Sequence, residues 1–211
     1  MPDTYPKVDL KKHYGELFSA GKKDFAVVEV PPLSYLMVDG AGDPNTEPSY
    51  TAAVEALYSV SFTAKFASKK QLGRDYTVSP LEGLWWADNP EAFTARDKSS
   101  WKWTMMVLQP EWVTAALISD AIETVRAKKN PTSLDLLRFE TYHEGTSVQI
   151  LHVGSYDDEA PTLARLHNEY LPDHGLTFNG KHHEIYLGDP RKTEPARLKT
   201  LLRQPVRRIA A

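Results

Sequence analysis

A short segment that joins a strand pattern to a glycine and an aspartate occurs twice in the chain, and it limits the fold more than any other feature. Residues 35–43 (YLMVDGAGD) align with residues 149–157 (QILHVGSYD), which places Gly40 opposite Gly154. A helical pattern follows each copy. Two copies of a strand and helix unit favour a fold built from two similar modules. Strand, glycine and helix also follow one another by chance, so the pattern leaves duplication and coincidence equally open.

Three helices are predicted from apolar residues that recur every three or four positions. The first follows residues 45–49, the second opens at Pro110 and stops at Asn130, and the third has Pro161 in its first turn and ends at Gly175. The positions expected to share a helix face are Val54, Leu57, Tyr58 and Phe62 in the first helix, Val113, Leu117, Ala121 and Val125 in the second, and Leu163, Leu166, His167 and Tyr170 in the third.

Strands are predicted where apolar and polar residues alternate or where apolar residues cluster between turn signals. They cover residues 34–39, 78–87, 101–109, 136–142, 147–153 and 182–187. Adjacent strands mixed with helices indicate an α+β fold. We expect an antiparallel sheet with helices on one face, which leaves the other face free. The chain length of 211 residues is compatible with one domain over residues 1–211.

The composition excludes several classes of function. Lys and Arg number 25 against 28 Asp and Glu, and a formal charge of −3 gives no basis for a nucleic-acid partner. The absence of cysteine removes thiolate nucleophiles, zinc ribbons and iron–sulfur clusters. No stretch is long and apolar enough to span a membrane, and the N-terminal residues carry no signal pattern. We expect a cytoplasmic protein without a membrane partner.

The C-terminal segment 190–211 is strongly basic, with Glu194 as its only acid. Charge runs of this kind are usually solvated faces. We therefore interpret the segment as a solvated helix end in preference to a binding patch.

No common catalytic signature is present: the sequence lacks the glycine-flanked serine, the phosphate-cradling glycine loop and the paired-histidine metal motif. His182 and His183 are adjacent, but neighbouring strand residues point to opposite faces, so the two rings cannot readily chelate one ion. We expect no metal site and no cofactor.

Glu184 is the main candidate for chemistry. In a strand, His182, Glu184 and Tyr186 share one face while His183 and Ile185 share the other. An ordinary solvent-facing carboxylate is the simpler interpretation. Convergence of aromatic rings on Glu184 would instead raise the pKa of its carboxyl and suit it to proton transfer or to holding a cation.

Aromatic residues are numerous, with 5 Trp, 10 Tyr and 7 Phe. The candidates for a ligand wall are Trp85, Trp86, Trp101, Trp103 and Tyr142. Two adjacent tryptophans on a strand point in opposite directions, so only one of Trp85 and Trp86 shares the free face. Tryptophan side chains lie in the protein core more often than on the wall of a ligand site. However, flat aromatic walls with a few polar groups also hold planar hydrophobic ligands.

Several motifs together resemble the GyrI-like proteins over nearly the whole chain. They are PLEGLWW at 80–86, WKWT at 101–104, QP at 109–110, EG at 144–145, QILHVG at 149–154, HEIYLGDPR at 183–191 and KTLLRQP at 199–205. The resemblance implies two strand-helix-strand-strand (SHS2) modules related by pseudo-twofold symmetry, with approximate halves 25–110 and 111–211. It also implies a ligand cleft where the modules meet, with Glu184 as the acid at its base.

The stand-alone branch with the LEGLWW pattern resembles the cyclopropanoid cyclopropyl hydrolases, which open the cyclopropane of DNA-alkylating natural products of the yatakemycin and CC-1065 type. That activity implies detoxification or self-protection. Some GyrI-like proteins carry a DNA-binding region before this domain; here the domain starts near residue 25, which leaves no room for one. A tyrosine would assist catalysis by donating to the substrate carbonyl.

The site residues predicted on this basis fall into two groups. The catalytic residues are Glu184 as the base that positions water and Tyr142, with Tyr186 as second choice for the tyrosine; the substrate-binding residues are Trp85, Trp103, Tyr186 and His182. The expected partner is a planar hydrophobic small molecule. Two alternatives stay open: a non-catalytic protein that sequesters hydrophobic or cationic drugs, and an inhibitor that docks on a topoisomerase, for which the even charge balance offers no patch.

Overall fold

The structure is a computed structural model, and it describes residues 5–89 and 97–209. The chain divides into two compact units. The first consists of residues 5–14 and Leu33–Tyr142, and the second of Gly15–Pro32 and residues 143–209. Residues 210 and 211 of the predicted basic tail lie outside the described residues.

The elements are defined here for both units in chain order. The strands are β1 Val8–Asp9, β2 Ala26–Val30, β3 Leu33–Ala41, β4 Tyr76–Thr77, β5 Glu82–Trp86, β6 Lys102–Leu108, β7 Arg138–Tyr142, β8 Gly145–Val153, β9 Leu176–Phe178, β10 His182–Tyr186 and β11 Lys199–Arg208. The helices are α1 Leu10–His13, α2 Pro48–Leu72, α3 Ala115–Lys128, α4 Ala160–Arg165 and α5 Leu171–Asp173, with a π-helical turn at Leu166–Tyr170 between the last two.

The first unit contains an antiparallel sheet in the order β5-β6-β3-β7, and β1 pairs separately and in parallel with β4. Helix α2 packs on β3, β6 and α3. Its bounds follow from local chemistry: Pro48 occupies the first turn, where its missing N–H costs nothing, and Gly73 ends the helix at a φ of 68°.

The buried face of α2 differs from the predicted one. Phe62 is 48% exposed, although it was expected to share the core face with Leu57, which is fully buried. The core face is built from small and branched residues, namely Ala53, Ala56, Leu57, Val60 and Ala64. Small side chains let α2 approach its neighbours closely, and this packing turns Phe62 towards solvent.

The second unit contains an antiparallel sheet in the order β2-β8-β11-β10, with β9 pairing to the far end of β11. The helical segment from α4 to α5 supplies Leu166 and Leu171, which pack with Val148 and Val206 of the sheet. Burial of these apolar side chains stabilises the unit through the hydrophobic effect.

The interpretation of the basic C-terminal segment as a helix end is wrong. Residues Lys199–Arg208 form β11, whose interior is buried from Thr200 to Val206. The number of basic residues suggested a solvated segment, but Arg203 is only 2% exposed and forms an ion pair with Glu144 inside the second unit. Only the flanking basic residues, including Arg207 and Arg208, are exposed as expected.

The α+β class with a mostly antiparallel sheet is confirmed. If the short strands β4 and β9 are left aside, β3, α2, β5 and β6 follow one another in the first unit, and β8, the α4–α5 segment, β10 and β11 follow one another in the second. In the first unit β6 lies between β5 and β3, and in the second unit β11 lies between β10 and β8. The pseudo-twofold relation implied by the family resemblance stays a prediction. Among the described residues, no helix combines the length and apolarity that crossing a membrane requires.

The two aligned glycines have different local reasons to be glycine. Gly40 pairs with Trp103 across β3 and β6, and a Cβ on it would lie 2.0 Å from the Trp103 ring. Gly154 has a φ of 153°, and a Cβ there would lie 2.9 Å from the His152 ring.

Replacing Gly40 by alanine is expected to lower the free energy of unfolding by about 1–3 kcal/mol, the usual cost of overpacking a core. The Trp103 ring is fully buried and cannot move into solvent to make room. Urea unfolding measures the change. Gly15→Ala is the matched control because a Cβ on Gly15 meets nothing within 4 Å; equal losses in both variants would contradict the packing argument.

Candidate functional site

Strand β10 presents two different faces, as its alternation indicates. His183 and Ile185 are fully buried, whereas His182, Glu184 and Tyr186 are partly exposed. The pairing of β10 with β11 fixes this orientation, because Glu184 lies opposite Leu202 in an antiparallel register. Glu184 is therefore held on a rigid strand, with its side chain on the more accessible face.

The Glu184 carboxylate lies among polar and aromatic side chains of its own strand. The Tyr186 hydroxyl donates a hydrogen bond to Glu184 Oε2 at 2.8 Å. Nε2 of His182 lies 3.6 Å from Oε1. The side chains of His182 and Glu184 are only 13% and 15% exposed. The carboxylate is thus neither an open surface group nor fully enclosed.

The short 3₁₀ turn Tyr156–Glu159 adds a tyrosine and a second carboxyl to this cluster. The Tyr156 ring meets the Tyr186 ring edge to face at a centroid distance of 5.7 Å. Burial, followed by the charge of Glu184, raises the pKa of the Tyr156 hydroxyl to about 12. Glu159 is 4% exposed, and burial together with the nearby Glu184 raises the pKa of its carboxyl to about 10.

Consequently, Glu159 holds its proton at neutral pH and can act as a hydrogen-bond donor or acid. A carboxyl whose pKa is raised by burial is a common feature of enzyme sites that transfer protons. No sequence pattern indicates either Tyr156 or Glu159 as a site residue. Their turn has no hydrophobic period, and the run 157–159 resembles an ordinary acidic helix start.

The protonated state of Glu159 predicts a dependence of stability on pH. In the unfolded chain its carboxyl ionises above the usual value of 4.5, whereas in the folded chain it stays neutral. Folding stability therefore falls as pH rises from about 4.5 towards 10. Glu159→Gln is expected to raise the free energy of unfolding by several kcal/mol at pH 8, because each pH unit above 4.5 costs the folded protein about 1.4 kcal/mol, and to change it little at pH 4. Thermal unfolding at the two pH values measures this, and an equal shift at both would contradict it.

Behind β10, the buried face carries an ion cluster. His183 Nδ1 lies 3.0 Å from Glu144 Oε1, and Arg203 donates from Nη1 to Glu144 Oε2 at 3.1 Å. Arg203 Nε also donates to Gln149 at 3.0 Å. Burial opposes ionisation of Glu144, but His183 and Arg203 outweigh it and lower the pKa of its carboxyl. We refer to Glu144, His183, Arg203 and Gln149 as the buried ion cluster.

The buried ion cluster also fastens the segment before β2. Gln149 Nε2 donates to the carbonyl oxygens of Glu16 and Ser19 at 2.8 and 3.0 Å, and Arg203 donates to the carbonyl of Leu17. One residue from each of four sequence motifs therefore meets in the buried ion cluster: Glu144, Gln149, His183 and Arg203. Their effect is to fix His183, and with it the position of the adjacent Glu184.

In the first unit, the predicted ligand-wall tryptophans form an aromatic cluster around Tyr50. Trp85 stacks on Tyr50 with ring centroids 6.4 Å apart and meets Trp101 edge to face at 5.8 Å. Trp103 contacts Tyr50 edge to face at 5.4 Å. Trp85 and Trp103 are register partners on β5 and β6. Trp85 is 5% exposed and Trp103 is fully buried, so the ring of Trp103 presents no open surface.

Tyr142, the predicted catalytic tyrosine, is the last residue of β7 and pairs with Leu33 of β3 in the first unit. Its side chain is half-buried. The structure thus brings His182, Glu184 and Tyr186 together in the second unit, and Trp85 and Trp103 together in the first. Within the described residues, no group of three or more His, Cys, Asp or Glu is placed to hold a metal ion.

Comparison with known protein families identifies one family for this chain. The model of the GyrI-like small-molecule-binding domain matches residues 23–207. No curated protein matches the chain. An uncharacterized conserved protein from Listeria innocua is similar, at 38% identity and a TM-score of 0.86, over 95% of this chain and 100% of the other. A hydrolase from Listeria innocua shows 36% identity and a TM-score of 0.85, over 96% and 100%.

A more distant likeness concerns the fold alone. The C-terminal domain of EcmrR superposes with a TM-score of 0.55 at 12% identity, over 88% of this chain and 98% of that domain. The family model spans most of the chain, and the Listeria proteins are covered over their full length. This confirms the resemblance seen in the sequence motifs: the chain belongs to the GyrI-like small-molecule-binding family.

Proposed function

We propose that the protein is a hydrolase that adds water to the cyclopropane of DNA-alkylating cyclopropanoid natural products of the yatakemycin and CC-1065 type, as a detoxification or self-protection activity. Family membership supports a small-molecule ligand, and the similar protein described as a hydrolase supports turnover. The observation that carries the proposal is the group of side chains around Glu184, which consists of His182, Tyr186, Tyr156 and Glu159. It provides a partly exposed carboxylate bound by Tyr186, with a protonated Glu159 nearby.

The catalyst of this reaction has to position a water molecule and stabilise the charge that develops on oxygen. The cyclopropane shares a spiro carbon with a cyclohexadienone. The water oxygen bonds to the cyclopropane methylene carbon, and the bond from that carbon to the spiro carbon breaks. The electron pair of the broken bond enters the cyclohexadienone ring, which becomes a phenolate. Glu184 accepts the proton that the water loses and later returns it to solvent, while the phenolate takes up a proton. Relief of ring strain and gain of aromaticity drive the step, so positioning of water and stabilisation of the oxygen charge suffice.

The other roles follow the sequence predictions. His182 is assigned to the substrate contact beside Glu184. The wall role of Trp85 and Trp103 stays a sequence prediction, because the Trp103 ring presents no open surface. Tyr142 stays the residue that the sequence predicts as donor to the substrate carbonyl. The hydroxyl of Tyr186 already donates to Glu184, which favours Tyr186 as an orienting group for the carboxylate.

The two tyrosines can be separated by removing one hydroxyl at a time. If Tyr142 stabilises the developing phenolate, Tyr142→Phe is expected to lower kcat by about 10²-fold, the usual effect of losing one such donor. Tyr186→Phe is expected to lower kcat less, by about 10-fold, because it removes only an orienting hydrogen bond. Single-turnover rates measure both; a larger loss in Tyr186→Phe would exchange the two roles.

The proposed activity is tested by incubating the purified protein with a cyclopropanoid of this type and analysing the products by mass spectrometry. A water adduct whose formation depends on enzyme concentration is the expected result. Binding of the intact compound with no adduct above the uncatalysed rate would contradict hydrolysis.

Sequestration without turnover is the second candidate, because the Glu184 carboxylate beside the rings of Tyr186 and Tyr156 also suits a hydrophobic cation. It predicts saturable binding of a planar cation and no product. Quenching of tryptophan fluorescence measures binding, and Glu184→Gln is expected to weaken cation binding by about 10-fold while leaving neutral ligands unaffected.

A further inference from the structure

The outer face of α2 carries three aromatic side chains for which the proposed function has no use. Phe62 and Phe66 are 48% and 61% exposed. The Tyr58 ring is half-buried and lies 6.2 Å from the Phe62 ring. Residues four apart on a helix are neighbours on one face, so the three rings form a continuous stripe. Adjacent exposed aromatics of this size mark contact surfaces more often than ordinary solvent faces.

Opposite charges flank this stripe. Glu55 precedes Tyr58 by three residues, and Lys69 follows Phe66 by three residues; both are exposed. The positions 55, 58, 62, 66 and 69 are therefore spaced three, four, four and three apart. This spacing is the same in both directions from Phe62: an aromatic residue lies four positions away on each side, and a charged residue lies seven positions away, negative at one end and positive at the other.

We propose that this face of α2 is a self-association surface on which two copies of the chain pair antiparallel about a twofold axis at Phe62. The axis places Phe62 against its own copy, Phe66 against Tyr58 of the second copy, and Lys69 against Glu55 of the second copy. A twofold contact requires a self-complementary surface, and this stripe has one. A parallel pair would instead place like charges together, which is unfavourable.

Lys69 shares its ion-pair partner within the chain with a second lysine. Asp75 forms ion pairs with Lys65 at 2.8 Å and with Lys69 at 3.3 Å. Lys65 alone can therefore neutralise Asp75 when Lys69 turns to a second copy of the chain. The Lys69 side chain is 60% exposed. One helix pair forms a small interface, below about 1,200 Å², which is typical of weak and transient association. We therefore expect a dissociation constant in the micromolar range.

Sedimentation velocity over about 1 µM to 1 mM, the range of weak association, tests the proposal. The expected result is a monomer–dimer equilibrium that Phe62→Ser weakens by at least about 10-fold, as for a central interface residue. Leu72→Ser is the matched control: Leu72 is 44% exposed at the end of the same helix but off the stripe, and its variant is expected to associate like the parent.

A charge exchange tests the antiparallel register itself. Glu55→Lys and Lys69→Glu each place like charges together and are expected to weaken self-association. An equimolar mixture restores both opposite-charge pairs, so the mixed dimer is expected to form more tightly than either homodimer. A chain that stays monomeric throughout, a dimer that Phe62→Ser leaves intact, or a mixture that associates no better than its components would each overturn the proposal.

Discussion

Glu144→Gln is expected to lower the free energy of unfolding by about 3–5 kcal/mol, the usual cost of removing one partner from a buried ion pair. The Glu144 side chain is 1% exposed and faces His183 and Arg203, whose side chains are 0% and 3% exposed. Loss of the carboxylate leaves the Arg203 charge without its counter-ion in a site closed to water. Urea unfolding followed by circular dichroism measures the loss.

Glu140→Gln provides the matched control. Glu140 also pairs with an arginine, at 3.0 Å from Arg138 Nε, but its side chain is 54% exposed. Exposed ion pairs contribute at most about 1 kcal/mol. We therefore expect the control variant to unfold within about 1 kcal/mol of the parent. A similar small change in Glu144→Gln would contradict the view that the buried ion cluster holds the second unit together.

The same cluster predicts how acid affects stability. The folded protein has a lowered pKa for Glu144, so its contribution is present above the usual carboxyl value of 4.5 and disappears as pH falls through the folded pKa. Glu144→Gln lacks this titrating group. The stability difference between parent and variant should therefore shrink as the pH is lowered below about 4.5.

The sequence predicted the fold well where a pattern reflects local geometry. The strand containing Glu184 has the expected two faces, and β3, β6 and β8 lie where alternation and apolar runs place them. Strand β11 was missed because Arg203 and its neighbours look like a solvated charge run. Its burial depends on Glu144, which is distant in sequence and has no pattern that links it to Arg203.

The candidate site was predicted only in part for the same reason. Glu184, Tyr186 and His182 share a strand face, so a period of two is enough to group them. Glu159 joins them through tertiary packing of a 3₁₀ turn, which no period describes. Phe62 was assigned to the core because helix periodicity identifies which residues share a face, but it does not say which of two apolar faces is covered.

Glu184→Gln and Glu184→Ala are expected to lower kcat by about 10²- to 10⁴-fold if Glu184 positions or deprotonates the attacking water. Affinity for the substrate should stay within a few-fold because aromatic contacts supply most of the binding. Neither variant should melt below the parent, since a carboxylate in a partly apolar cluster is usually a cost to stability. Stopped-flow turnover, ligand titration and thermal unfolding on the same three proteins measure all three quantities.

The matched control for this experiment is Glu29→Gln, an exposed glutamate on β2 of the same unit. A surface strand carboxylate is expected to change stability by less than about 0.5 kcal/mol and turnover by less than about twofold. Turnover in Glu184→Gln that matches this control would remove the catalytic assignment. If the parent has no turnover but Glu184→Gln loses affinity for cations alone, the carboxylate is a counter-charge, and sequestration is the function that fits.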